Sequence, residues 1–437
     1  MLTVPRKIFV IYRIKLIGYS VVGPINYVFL LLCCNFETVI CWSIGQLVLF
    51  NCMKGAISHK VMRKTKRVFQ RIAVVGAGGF GTAIAHYLAE LPSERHGGII
   101  LYGRDETVID SINSQHRHPS RLQDFHLSPK LIAVNSLSEA LVNADLVVLG
   151  VPAQRLRSFL RQAQPYLRSG IVLLDLAKGV EVEGLNTMSE VVNQEMKADF
   201  TFAVLSGPSF AHDVVLGKPI GLTLGCKQRD VRRDLQMMLT TPLFDVKTTG
   251  DVRGVELGGA LKNVFAIAVG MLIGCNTGDS LAGDLFTRSM VEMREIGLLL
   301  GGRWSTFSGR SGLGDLAITC TSASRNFRFG RIYAESYDAN LPSSHEACFQ
   351  TTIEQLGSRT VEGFDTLAAV YKISQRKQVL TPIIRALWRV LYDHELAPTD
   401  LLSEIRELDA PRHREGPSVL SILLHEMMPR IWYRRMR

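Results

Sequence analysis

Two rhythms of apolar residues divide this chain. Short apolar runs at 71–75, the first of them β-branched, and at 98–103, 131–134, 145–151, 171–175, 202–206 and 219–225 alternate with stretches of helical spacing such as 82–90 and 154–167. The short runs predict strands, and the 3.6-residue period predicts helices. Strands and helices in alternation imply a parallel, doubly wound sheet with helices on both faces. A break near residues 248–251 ends this pattern. From Arg253 onward the apolar positions keep helical spacing only, so the second domain is expected to be all α. The predicted division is an N-terminal extension at 1–68, a sheet domain at 69–249, a helical domain at 250–405 and a basic tail at 406–437.

The first strand, Arg71-Ile-Ala-Val-Val75, runs into Gly76-Ala-Gly-Gly-Phe-Gly81 and then a helix. That order gives the G-x-G-x-x-G string a mechanism. Gly76 permits the tight turn, Gly78 lets backbone approach a pyrophosphate, and Gly81 lets the helix pack close to the strand while its N-terminus faces the anion. The first half is therefore read as a Rossmann-like dinucleotide-binding domain. Its second strand ends in Arg104-Asp105, where the residue that meets the adenosine ribose should stand. An acid would hydrogen-bond the ribose hydroxyls of NAD, and an arginine could pair with the 2′-phosphate of NADP. With both present, the expected cofactor is NAD or NADP. Ligands of such sheets bind beyond the carboxyl ends of strands, which singles out Pro152-Ala-Gln154, Lys178-Gly179 and Ser206-Gly-Pro-Ser209.

The helical half opens with Glu256-Leu-Gly-Gly-Ala-Leu-Lys262-Asn263. A lysine among small and apolar residues either snorkels to solvent or is desolvated for use, with burial lowering its pKa. Spacing alone slightly favours snorkelling. Downstream, Ser311-Gly-Leu-Gly-Asp315 and Thr319-Cys-Thr-Ser-Ala-Ser324-Arg325-Asn326 are dense in hydroxyls and glycines around one arginine. An arginine fork, an amide and backbone N–H groups make a phosphate cradle. Taken singly, Ser322 or Ser324 is better explained as a helix cap.

Together the strings Gly76-Ala-Gly-Gly-Phe-Gly-Thr82, Leu176-Ala-Lys-Gly179, Ser206-Gly-Pro-Ser-Phe-Ala211, Leu257-Gly-Gly-Ala-Leu-Lys-Asn263, Gly312-Leu-Gly-Asp315 and Ser324-Arg-Asn326 resemble NAD(P)-dependent glycerol-3-phosphate dehydrogenases. The likeness runs from about Arg71 to about Ala397 and is closer to the bacterial and plastid-like branch. It implies interconversion of dihydroxyacetone phosphate and sn-glycerol 3-phosphate by hydride transfer, feeding glycerolipid and carbohydrate metabolism. Lys262 would be the catalytic acid and base, Lys178 a second cation near the substrate, and Asp315 their partner. Ser324, Arg325 and Asn326 would hold the substrate phosphate, with Gly207 and Ser209 lining the pocket. Cofactor positions would be Gly79, Phe80, Arg104, Ala211 and Glu362 beside Gly76, Gly78 and Gly81, with Lys178 and Arg325 touching both ligands. Two departures stand out: Thr277-Gly-Asp-Ser-Leu-Ala-Gly-Asp284 replaces a Gly-x-Asn loop, and residues 333–351 read as a surface insertion.

Composition adds limits. A hydrophobic share of 47% excludes a disordered chain, and much of the +10 net charge sits at 54–71 and 430–437 rather than on the folded part. Nucleic acid is not an expected partner; a small phosphorylated substrate is, and so is a second copy in a homodimer. The eight cysteines have no C-x-x-C pair, so no metal site is expected, and Cys226, Cys275, Cys320 and Cys348 read as small buried hydrophobes. His212-Asp213 reads as helix-start polarity. Apolar runs at 17–34 and 38–50, behind Arg6, Lys7, Arg13 and Lys15, are near or below the length of a spanning helix. A targeting or dispensable extension is favoured over an anchor, with a cytoplasmic protein expected, or a plastid or mitochondrial one if the extension is a signal. Two rival readings are a related two-domain dehydrogenase of another small hydroxy acid or sugar acid, and a membrane-tethered NAD(P) sensor without turnover.

Overall fold

A strand with apolar side chains on both faces must be covered on both sides, and the central runs of this chain are of that kind. The computed structural model describes residues 38–43, 46–51, 68–338, 340, 344–357 and 361–409. Strands β1 (Thr38–Ser43) and β2 (Gln46–Asn51) pair antiparallel within the unit Met1–Thr65. The 38–50 run, weighed as an anchor or targeting stretch, thus contributes two strands; the 17–34 run lies outside the described residues.

The main sheet contains β3 (Ile72–Val75), β4 (Ile99–Tyr102), β5 (Ile132–Val134), β6 (Leu146–Leu149), β7 (Ile171–Asp175), β8 (Phe200–Ser206), β9 (Ile220–Cys226) and β10 (Phe244–Thr249), in the order β10-β9-β8-β7-β6-β3-β4-β5. The period of two is visible in its packing. Ile72, Val74, Leu146, Val148, Val172 and Leu174 enter the core on one face, and Ala73, Val75, Val147, Leu149, Ile171 and Leu173 enter that on the other. Strand order reverses at β3, whose neighbours are β4 and β6, and a crevice opens beyond the carboxyl ends of strands at such a point.

The sheet departs from the all-parallel expectation. β9 runs antiparallel to β8, and β10 is parallel to β9. The connection from β8 to β9 holds only the five-residue helix Ala211–Val215, too short to carry the chain back along the sheet for a parallel crossover. β10 itself extends the sheet past the last strand expected from sequence. It is an edge strand with Phe244 and Val246 buried and Asp245 and Lys247 exposed.

The helical half is built on the helix Val252–Gly274, of which 20 residues are buried. Among the described residues it is the one helix long and apolar enough to cross a membrane, with mean hydropathy 1.7, and it is instead the core of this half. A helix apolar on all sides needs neighbours all round. Glycines let them come close: a methyl at Gly270 would reach within 2.1 Å of the Phe327 carbonyl oxygen, and one at Gly330 within 2.0 Å of that of Ile267. The facing helix is Arg325–Glu335.

Residues 333–351, expected as a surface insertion, include the end of that helix and part of the helix Ser344–Leu356. Tyr333 and Cys348 are buried in the core, and the Tyr333 hydroxyl lies 2.9 Å from His345 Nδ1. The helix Leu401–Asp409 continues past 405, the expected end of the helical domain; residues 410–437 lie outside the described residues. Cys226 and Cys348 are buried and Cys275 and Cys320 partly so, all with free thiols.

Candidate active site

The glycine turn after β3 fits a dinucleotide. Gly76 has φ +110°, and a methyl there would lie 2.5 Å from the Gly150 carbonyl oxygen beyond β6. At Gly81 a methyl would lie 2.1 Å from the Gly76 carbonyl oxygen, so any side chain would push the helix off the strand. Gly78 is exposed and faces open space, and the helix Gly79–Glu90 begins without a side-chain cap or an acid in its first turn. Backbone N–H groups reachable over a bare Cα suit a pyrophosphate. Phe80 packs on the sheet core, and Ala211 stands beside Gly79, its Cβ 3.9 Å from where a Gly79 methyl would be.

At the end of β4 the two ribose candidates have different surroundings. Asp105 caps the helix Glu106–Gln115, its Oδ1 accepting from the N–H groups of Thr107 at 3.0 Å and Val108 at 3.4 Å. Arg104 is exposed. The acid is engaged in a local task while the arginine faces solvent.

A charged centre joins the two halves. Asp315 heads the short helix Asp315–Thr319 after a π-helical turn, Arg310–Gly314, and is fully buried. Its Oδ1 accepts from Lys262 Nζ and its Oδ2 from Lys178 Nζ at 2.7 Å. Lys178 Nζ also donates to the Gly207 carbonyl at 3.1 Å, and Ser206 Oγ donates to Asp315 Oδ2 at 3.5 Å. Lys262 is 6% exposed, so it is desolvated rather than snorkelling. Burial lowers its amine to about 8; Asp315 opposes that shift and the Lys178 ammonium adds to it. Two ammonium groups on one carboxylate leave net positive charge on a buried cluster, which favours an anionic ligand.

Around this centre runs an amide network. Asn263 Nδ2 lies 3.2 Å from both the Lys178 carbonyl and Glu362 Oε2, and Asn263 Oδ1 accepts from Asn326 Nδ2 at 2.9 Å. Asn326 Oδ1 in turn accepts from Gly363 N–H at 2.9 Å. Glu362 opens the helix Glu362–Lys377; burial raises its carboxyl, opposed by Lys262, Lys178 and Arg325. The same acid is thus within the electrostatic reach of all three cations.

Of the expected phosphate residues, Ser324 caps the helix Arg325–Glu335, accepting from Phe327 N–H at 3.5 Å. Asn326 is 8% exposed with both ends of its amide engaged. Arg325 is half-buried, and its guanidinium pKa is lowered by burial and by Arg121, with Glu362 opposing. Gly207 is buried with φ +147°, and Ser209 Oγ donates to its carbonyl at 3.1 Å. Gln154 is used structurally, bridging the Val180 carbonyl at 2.8 Å and Val182 N–H at 3.0 Å. Asp213 pairs with Lys218 at 3.0 Å.

Residues 71–232 match the N-terminal domain of NAD-dependent glycerol-3-phosphate dehydrogenase, and residues 251–403 match its C-terminal domain. The chain belongs to the NAD-dependent glycerol-3-phosphate dehydrogenase family. It is 40% identical over 342 residues to the glycerol-3-phosphate dehydrogenase [NAD(P)+] of Nitratidesulfovibrio vulgaris strain Hildenborough, covering 77% of this chain and 99% of that one. The Bacillus subtilis strain 168 enzyme of the same name is 33% identical, covering 76% and 92%. A crystal structure of glycerol-3-phosphate dehydrogenase from Coxiella burnetii superposes with a TM-score of 0.70 at 27% identity, covering 79% of this chain and 99% of that one.

Sequence reasoning gave Asn263 no role, although it adjoins Lys262 in the string that carries the resemblance. The available signal was an amide inside a largely apolar helix, where each buried polar group must find a partner. Ser206 stands in the strand-end string Ser206-Gly-Pro-Ser209 but has no role of its own in the sequence reading, and Arg121 does not figure in it.

Proposed function

Within the family's activity, the interconversion of dihydroxyacetone phosphate and sn-glycerol 3-phosphate with NAD or NADP, we propose that Lys262 carries the proton while Lys178, Asp315 and Arg325 place the substrate. The observation that supports this most is one buried carboxylate shared by two ammonium groups from different halves of the fold. Bound dinucleotide supplies or accepts the hydride at the substrate carbon. In reduction the Lys262 ammonium donates its proton to the carbonyl oxygen as the alcohol forms; in oxidation the neutral amine takes the hydroxyl proton. An amine titrating at about 8 holds both forms near neutral pH.

Asp315 fixes both amines, and Lys178 adds positive charge where an alkoxide develops. Arg325 grips the phosphate, with Gly207 and Ser209 at the pocket wall. Ser324 and Asn326 act there by fixing the start of the arginine's helix. Holding a remote phosphate aligns the carbonyl for reaction and turns binding energy into rate. Gly76, Gly78, Gly79, Phe80, Gly81, Arg104, Ala211 and Glu362 form the dinucleotide side. The same reading makes the enzyme a homodimer of the cytoplasm, with any membrane contact confined to the extension.

The test is a carbonyl substrate screen at saturating NADH and NADPH. Dihydroxyacetone phosphate should be reduced and unphosphorylated keto acids should not. Preferred reduction of a keto acid or a sugar acid precursor would replace this reading with the rival dehydrogenase.

A further inference from the structure

Resting on the dinucleotide reading above, we infer that Arg121 is a further cofactor-binding residue, a guanidinium that grips the pyrophosphate from the side facing the helix N-terminus. Arg121 lies in the segment between the helix Glu106–Gln115 and β5, a stretch the glycine motif does not include. The position is built rather than incidental. His118 is 2% exposed, and its Nε2 donates to the carbonyl oxygen of Ala77, inside the glycine turn, at 2.9 Å. Its Nδ1 accepts from Ser120 N–H at 3.3 Å, which leaves the ring proton on Nε2. His118 and Leu122 form an antiparallel bridge, and Leu122 is buried beneath it. Arg121 is therefore carried on a small turn clamped to the turn that meets the pyrophosphate.

The clamp brings it to the ligand. A methyl at Gly79, the first residue of the uncapped helix, would lie 3.7 Å from Arg121 Cβ. The side chain is exposed and has no hydrogen bond or ion pair among the described residues. Its charge is felt by Arg325. Two guanidinium groups held in each other's field repel unless an anion lies between them, and a forked guanidinium matches phosphate oxygens. The anion could come from the dinucleotide or from the substrate phosphate. The anchoring of the turn on Ala77 and beside Gly79 selects the pyrophosphate.

The experiment titrates NADH, NADPH and ADP-ribose into the full chain and the R121A, R121Q and R121K variants, followed by fluorescence or calorimetry. ADP-ribose carries the pyrophosphate without the nicotinamide. Its dissociation constant, and those of NADH and NADPH alike, should rise about tenfold or more in R121A and R121Q and less in R121K. The Michaelis constant for dihydroxyacetone phosphate at saturating dinucleotide should stay within about twofold. An unchanged ADP-ribose constant would overturn the inference. So would a loss confined to NADPH, which would move the contact to the 2′-phosphate, or a rise confined to dihydroxyacetone phosphate. Binding of ADP-ribose requires no turnover, so a chain that reduced no dihydroxyacetone phosphate would defeat the proposed function and leave this test standing. R121K keeps the charge and most of the side-chain length, R121Q keeps a polar side chain without the charge, and equal melting temperatures separate lost binding from lost folding.

Discussion

Lys178, on the loop after β7, and Asp315, 137 residues further along the chain, meet at 2.7 Å inside the protein. This contact ties the sheet half to the helical half at the place where the chemistry is proposed. Asp315 is fully buried, so its charge is balanced by Lys178 and Lys262 rather than by water. The fold and the site therefore depend on the same carboxylate.

The pH profile should follow the Lys262 amine, whose pKa burial lowers to about 8. Reduction of dihydroxyacetone phosphate needs the protonated form, so kcat/KM should fall as pH rises through about 8. Oxidation of glycerol 3-phosphate needs the neutral amine and should rise over the same range. Profiles measured in both directions check this, and two limbs of the same sign would contradict it.

Arg325→Ala removes the guanidinium proposed to hold the phosphate. A charge-assisted hydrogen bond to phosphate is worth about 1.5–3 kcal/mol, which predicts a KM for dihydroxyacetone phosphate raised roughly 10- to 100-fold. Steady-state kinetics at saturating dinucleotide measure it. An unchanged KM would move the phosphate site elsewhere.

Arg104→Ala should weaken NADPH more than NADH. Asp105 already caps a helix, which leaves the exposed Arg104 as the group available to a 2′-phosphate. Comparative titration of the two dinucleotides reads the difference, and equal losses would argue against the contact.

Gly270→Ala and Gly283→Ala should shift stability in opposite directions. Alanine gains about 1 kcal/mol of helix propensity over glycine at either site. At 270 the new methyl meets the Phe327 carbonyl at 2.1 Å, a backbone atom that cannot swing aside, and overpacking of about 1–3 kcal/mol should exceed the gain. At 283, within the helix Asp279–Leu299, nothing lies within 4 Å, so the gain should remain. Denaturant midpoints of the two variants test the pair.

Much of the sheet was legible because β3, β6 and β7 carry apolar side chains on both faces and read as short, nearly continuous runs of Ile, Val, Leu and Ala. β10 was not, because only Phe244 and Val246 face the core and the remaining residues are polar. The reversal of β9 was hidden as well: strand direction is decided by the connection, and periodicity within a strand carries no sign. In the site, the glycine turn and the charged residues could be found from their strings. Whether Lys262 snorkels could not, since that depends on helices packing around Val252–Gly274 from distant parts of the chain. The same holds for the engagement of Asn326 by Asn263 and Gly363, which involves residues far apart in sequence.

The most direct test of the account is Lys262→Ala, assayed for reduction of dihydroxyacetone phosphate beside a titration of NADH and NADPH. Loss of a general acid predicts a fall in kcat of about 10²–10⁴-fold with dinucleotide affinity nearly intact. Turnover close to that of the unaltered protein would contradict the role given to Lys262 and, with it, the mechanism.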